Sequence, residues 1–225
     1  MKMAEKIQLL DRQSTIISIK SRQKWGPGTI KSVKVYRVYS LDKIKLYDGT
    51  IIPVNTIGGF VESLDNIQDG WIDHSAVVAG NARLTKGSIV KGSARVLGDS
   101  LIEESTIEGK TLIDGSPVIK NSIISGKSRI QGLVKVTNSV IENSVLIKDK
   151  AKVTNCKISG GAIISEDCIL LDSTVGDVSE VRGHAKVTSC TLAGRVIVEE
   201  GTLEGQSYVR DLDLQIEAPE RDYSE

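Results

Sequence analysis

Aliphatic residues recur at one short spacing through the second two-thirds of the chain, and this limits the possible folds more than any other feature. The series opens with Ile72, Val78, Leu84, Val90, Val96 and Ile102, six residues apart. It then settles into a rhythm of six, six, five: Ile107, Ile113, Ile119; Ile124, Ile130, Val136; Ile141, Ile147, Val153; Ile158, Ile164, Leu170; Val175, Val181, Val187. Leu192, Val198, Leu203, Val209 and Leu214 close the series. Three units add up to a 17-residue coil, so TNSVIENSVLIKDKAKV lies over TNCKISGGAIISEDCIL. Self-similarity at a fixed period marks a solenoid, in which each unit buries its apolar face only by stacking on its neighbours.

Other columns share this frame. Four residues after most marks stands a small side chain, as at Ala76, Ala82, Ser88, Ala94, Ser100, Ser128, Ala151, Ala162, Cys168 and Ala185. Two residues after most marks stands Gly, Asn or Asp, as at Gly80, Gly92, Asn138, Asn155, Asp177 and Gly183. These types tolerate positive φ and suit a corner. Each unit therefore reads as strand, corner, strand, with the mark pointing inward and its two neighbours outward. The expectation is an all-β fold: a three-sided, single-stranded parallel β-helix of about 26 short strands over residues 71–216.

An aliphatic followed by a small or acidic residue, two free positions and a small residue resembles the hexapeptide-repeat proteins. The resemblance covers about residues 71–214 and implies a left-handed β-helix. Periodicity does not supply the hand, and the general crossover rule favours right-handed connections. A right-handed helix of similar coil length therefore stays open. The segment Gly58-Gly59-Phe60-Val61-Glu62, Asn66, Gly70-Trp71-Ile72 and Gly80-Asn81-Ala82-Arg83 is similar to the YdcK-type bacterial β-helix proteins. Here the Cys that precedes the Trp in that family is missing, and Phe stands where Trp is commoner. The likeness implies fold, and an origin in bacteria or phage, more than it implies activity.

The remainder of the chain has another texture. Residues 1–14 carry charge throughout, without the apolar run of a signal peptide. Residues 15–70 hold the strand-like runs TIISI, KSVKVYRVYSL, KIKLY and TIIPV, with Trp25-Gly26-Pro27-Gly28 as a loop. Asp48-Gly49 suggests a type I′ hairpin. These runs suit a small antiparallel β cap on the first coil, because an open solenoid end exposes core and strand edges. The tail 217–225 is polar, acidic and expected to be disordered. No apolar stretch is long enough for a membrane span. Cys156, Cys168 and Cys190 are odd in number and lack CxxC spacing, which suggests a reduced, cytoplasmic chain. Lys+Arg and Asp+Glu both number 29, a poor composition for general nucleic-acid binding.

The hexapeptide-repeat resemblance brings acyltransferases and γ-class carbonic anhydrases into view, with a histidine base or a three-histidine zinc site. Only His74 and His184 are present. They fall about six coils apart, roughly 30 Å at ~4.8 Å per coil, so they share no metal within one subunit. No insertion interrupts the rhythm to supply a substrate-covering loop. Cys156 and Cys190 replace serines in the corner column Ser105, Ser122, Ser139, Cys156, Ser173, Cys190. At two coils, ~9.6 Å, they are beyond disulfide reach. Asn121, Asn138, Asn155 and Asp172 form a second corner ladder, and no calcium-binding nonapeptide occurs. No metal, cofactor or catalytic residue is therefore expected.

Two outward columns remain. Lys135-Thr137, Lys152-Thr154 and Lys186-Thr188 form a ladder of ammonium and hydroxyl groups, interrupted by Ile169-Leu171. It suits an anionic or hydroxyl-rich ligand, or serves only solubility and strand propensity. Leu112, Leu146, Ile163 and Ile197 form an aliphatic column broken by Arg129 and Glu180. Such a column is a subunit contact, with a trimer favoured, or a patch under the cap. The expected function is a non-catalytic β-helix scaffold or binding protein that works through its surface, as a homo-oligomer with a further protein partner conceivable. The alternative is a hexapeptide-repeat acyltransferase acting at a subunit boundary.

Overall fold

The computed structural model describes residues 5–21 and 29–216. The loop expected at Trp25–Gly28 and the tail 217–225 lie outside these residues. The chain is all-β, with parallel coils stacked into a β-solenoid of about nine turns. It divides into two compact units, Met1–Ser116 and Pro117–Glu225.

The second unit shows the repeat plainly. One coil contributes the strands Lys135–Thr137, Val140–Ile141 and Leu146–Ile147; the next contributes Lys152–Thr154, Lys157–Ile158 and Ile163–Ile164. Pairing is parallel, and Val136 meets Val153, Ile141 meets Ile158, and Ile147 meets Ile164. Each step is 17 residues, as the six-six-five rhythm requires. The marks from Ile72 to Val198 are all fully buried, and Leu203 is nearly so. The small residues that follow them are buried as well, Ala151, Ala162 and Cys168 among them. The interior is thus a stack of aliphatic side chains with small residues where the wall turns.

The corners hold positive φ. Gly160 has φ 75° and Asp177 φ 53°. A Cβ at Gly160 would stand 2.5 Å from the Asp177 carbonyl oxygen in the next coil. Asn138 and Asn155 adopt the same conformation at φ 49° and 53°. Where a residue with a side chain takes the corner, that side chain can bond along the solenoid. The Asn138 amide donates to Asn155 Oδ1 at 3.1 Å, and the Asn155 amide donates to Asp172 Oδ1 at 2.8 Å.

In the first unit, β1 (Ile7–Ser21) and β2 (Thr29–Ser40) form a long antiparallel hairpin. Residues 7–14, expected to precede the β cap, belong to this strand. β3 (Ile44–Lys45) and β4 (Ile51–Ile52) form a second, short hairpin. Its turn is not type I′, which needs positive φ at both central residues. Only Gly49 of the Asp48-Gly49 pair has it, at φ 87°. Asp48 instead accepts the Thr50 backbone N–H at 2.9 Å, a local bond that favours an ordinary turn followed by a left-handed glycine. β5 (Ile57–Val61) runs antiparallel to β2 and parallel to Val77–Val78, joining hairpin to solenoid. The parallel winding therefore starts before residue 71.

The long hairpin also lies along an outer face of the first coils. Val33 and Val35 pack with Val77, Ala79 and Leu97, and Ile17, Ile19, Phe60 and Leu112 join them. Arg95 donates to the Ser18 carbonyl at 3.2 Å. At the other end, the expected inward position of Val209 is overturned: Val209 is 62% exposed. Val187 pairs with Leu203 and Leu192 with Tyr208, a step of 16 rather than 17. Leu203 keeps its inward place, and the next step is five residues, as from Val187 to Leu192, so Tyr208 takes the Leu192 column and Val209 falls one residue out of phase.

Candidate functional site

The Lys-Thr ladder lies in register in the second unit, interrupted by the Ile169-Leu171 coil. Along one face Lys135 pairs with Lys152, Lys152 with Ile169, and Ile169 with Lys186. In the parallel column Thr137 pairs with Thr154, Thr154 with Leu171, and Leu171 with Thr188. Val136, Val153, Leu170 and Val187 between these columns point inward and are fully buried. Strand alternation then puts Lys and Thr on the outer face. The three lysines are exposed and the threonines half-buried. The Thr188 hydroxyl is shut from solvent and has no hydrogen-bond partner among the described residues.

Elsewhere the fold places a cation over a carboxylate one coil on. Lys91 Nζ is 2.8 Å from Glu108, Lys150 Nζ is 3.6 Å from Asp167, and Arg182 is 3.2 Å from Glu199; Lys86 pairs with Glu103. Hydrogen bonding to Glu108 raises the Lys91 pKa, and bonding to Glu103 does the same for Lys86. Among the described residues, Lys135, Lys152 and Lys186 have no such partner.

The aliphatic column divides between the two units. In the second, Arg129, Leu146, Ile163, Glu180 and Ile197 follow one another in register. Leu146, Ile163 and Ile197 are half-buried. Glu180 is turned toward Arg182 at 3.4 Å. Leu112 lies in the first unit and packs against the cluster under the N-terminal hairpin. Its own chain therefore covers part of it.

Both histidines have local structural partners. Arg37 donates to the His74 carbonyl at 2.6 Å and to the Gly58 carbonyl at 3.1 Å, and its guanidinium lies 4.1 Å from the Phe60 ring centre. The His74 ring Nδ1 is 3.3 Å from the same Arg37 nitrogen. His184 is exposed, with Nδ1 3.3 Å from Glu200. No cluster of three metal-ligating side chains occurs among the described residues.

The serine-cysteine column is internal. Cys156 and Cys190 are buried, each donating its thiol to the carbonyl two residues back, at Thr154 and Thr188. Ser139 and Ser173 make the same bond with their hydroxyls, to Thr137 and Leu171. The Ser139 and Ser173 oxygens also accept the backbone N–H of Cys156 and Cys190. Burial pushes the Cys168 thiol up to about 12 and raises Cys156 as well. These thiols are packing elements rather than nucleophiles.

One feature was not anticipated from the residues. An open groove of about 470 Å³ in the first unit is lined by Ser63, Asp65, Asn66, Gln68, Asn81, Arg83 and Asp99. It forms beside the short 3-10 turn Leu64–Asn66, capped by Ser63. Asn66 is buried, but its amide donates to the Gly80 and Ala82 carbonyls at 3.0 and 2.8 Å and its oxygen accepts from Ser63 N. Its bonds are spent on holding the turn. Nothing in a local pattern signals this groove, because its walls come from segments about one and two coils apart.

No helix among the described residues is long and apolar enough to cross a membrane. The chain matches no protein-family model, and no curated protein is significantly similar to it.

Proposed function

We propose that the protein is a non-catalytic binding scaffold that works through the outer faces of its solenoid and assembles with copies of itself. The observation that carries this reading is the division of labour along each strand. The inward residue of every repeat from Ile72 to Val198 is consumed by packing. Outward positions stack in register on successive coils, so like side chains at them line up along one face, as Lys135 with Lys152 and Leu146 with Ile163. Such faces are built to meet extended or symmetric partners. The unbroken six-six-five rhythm, with no inserted substrate-covering loop, and the presence of only two histidines support the same reading, and three cysteines without CxxC spacing fit a reduced, cytoplasmic setting.

The assembly surface is the column Leu146, Ile163 and Ile197, packed about a three-fold axis. Light scattering on the purified chain at micromolar concentration tests it, with a trimer expected and a monomer refuting assembly. Leu146→Glu with Ile163→Glu places like charges at the contact and shifts the particle toward monomer, with the circular dichroism of the parent retained. Transfer of an acetyl group from acetyl-CoA, abolished by His184→Ala, would overturn the non-catalytic reading.

A further inference from the structure

We infer that the Lys-Thr face of the second unit is a binding surface for an extended acidic polysaccharide, laid along the solenoid axis across successive coils. The inference rests on reading the solenoid as a binding scaffold and names the ligand class for one face. It starts from a violation of the fold's own habit. Among the described residues a cation is repeatedly set over a carboxylate one coil away, as at Lys86–Glu103, Lys91–Glu108, Lys150–Asp167 and Arg182–Glu199. On this face Lys135 is set directly over Lys152 instead. Like charges directly opposite on neighbouring strands are destabilising. Neither lysine, nor Lys186, is neutralised by a carboxylate among the described residues. A local rule broken without a compensating partner in the chain points to a compensating partner outside it.

The chemistry of that partner follows from the two columns. The ammonium column calls for anions repeated along a line, at the ~4.8 Å step between strands. The column beside it, Thr137 and Thr154, offers hydroxyls that both donate and accept, matching alcohol groups. Between them and Lys186, Ile169 and Leu171 give an apolar step against which a sugar ring can lie. A polyuronate presents a carboxylate, hydroxyls and an apolar ring face in every residue, and one pyranose is comparable in length to one coil step. Nucleic acid fits less well. The face has no aromatic side chain for base stacking, and the chain as a whole carries no net charge.

The test uses the full purified chain and labelled oligogalacturonate, read by fluorescence anisotropy at low and high salt. Salt-sensitive binding is expected, with none to a neutral maltodextrin of equal length. Lys135→Glu with Lys152→Glu should weaken it by at least about tenfold, the loss of two charge-assisted contacts. Lys157→Glu, on the neighbouring side of the same coil, should leave it unchanged. Thr137→Val with Thr154→Val keeps the charge and should also weaken binding. Should the double charge reversal fail to fold, Lys135→Ser with Lys152→Ser replaces it. The inference is overturned by no binding, by equal loss in Lys157→Glu, or by tighter binding to a single-stranded oligonucleotide of equal length. Those results leave the scaffold reading standing, because the light-scattering test of assembly is independent of them.

Discussion

Val153→Asp gives the most direct test of the repeat frame. Val153 is fully buried, stacked between Val136 and Leu170. Removing its burial costs about 1.5–3 kcal/mol. A protonated carboxyl in its place finds no partner among aliphatic neighbours and costs about 1–3 kcal/mol more. Together these give a loss of about 2.5–6 kcal/mol even when the carboxyl is neutral. The burial also raises the folded-state pKa of the new group above its unfolded value near 3.9. The folded state then holds a proton that the unfolded chain releases, so stability falls as pH rises. The penalty grows by about 1.4 kcal/mol per pH unit from roughly pH 4 until the folded pKa is passed. Urea unfolding followed by circular dichroism at pH 4.5 and 7.5 measures both parts. Lys152→Ser, one residue away on the outer face, should stay within about 0.5 kcal/mol at either pH. Equal effects from the two substitutions, or a Val153→Asp penalty indifferent to pH, would refute the inward-outward assignment.

Adjacent glycines offer a second test: Gly160→Ala should cost about 1–3 kcal/mol, because φ is 75° and the new Cβ would meet the Asp177 carbonyl. Gly161→Ala, whose Cβ would find its nearest neighbour at 3.7 Å, should be neutral or gain up to about 1 kcal/mol in the same urea assay. Asn155→Ala should cost about 1 kcal/mol through the amide ladder and the left-handed corner, and Asn155→Gly less, since glycine keeps the corner. Cys168 should resist iodoacetamide in the native protein at pH 8.5 and react quickly in urea, because burial holds its thiol near 12 against an ordinary 9.0. Its raised folded-state pKa also means that stability declines as pH climbs above 9, where only the unfolded chain loses the proton.

The repeating half of the fold was legible because its constraint is local and recurrent. A strand alternates faces, a corner needs positive φ, and a coil must return its aliphatic mark to the same place. The identities of Val136, Val153 and Leu170, with Asn138, Asn155 and Asp172 two residues after each, therefore define interior and corner without any distant contact. The same logic places Lys135, Lys152 and Lys186 in one outward column. Two departures came from events that a period does not encode. Val209, the aliphatic six residues after Leu203, lies outside because Tyr208, five residues after it, pairs with Leu192, and strand pairing rather than residue type makes that choice. The Asp48 side chain, bonding to Thr50, turned a nominal type I′ signal into a turn with one left-handed residue.

The tertiary structure alone decided what happens outside the coils. Ile17, Ile19, Val33 and Val35 read as ordinary strand residues, and nothing in their order says which surface they cover. Their placement on Val77, Leu97 and Leu112 depends on β2 pairing with β5, a contact between segments whose spacing follows no repeat. The polar groove beside Asn66 is likewise assembled from successive coils. Sequence determined the solenoid because each repeat answers to its nearest copies. The covered face and the groove needed the folded chain, because non-repeating contacts have no period from which to be read.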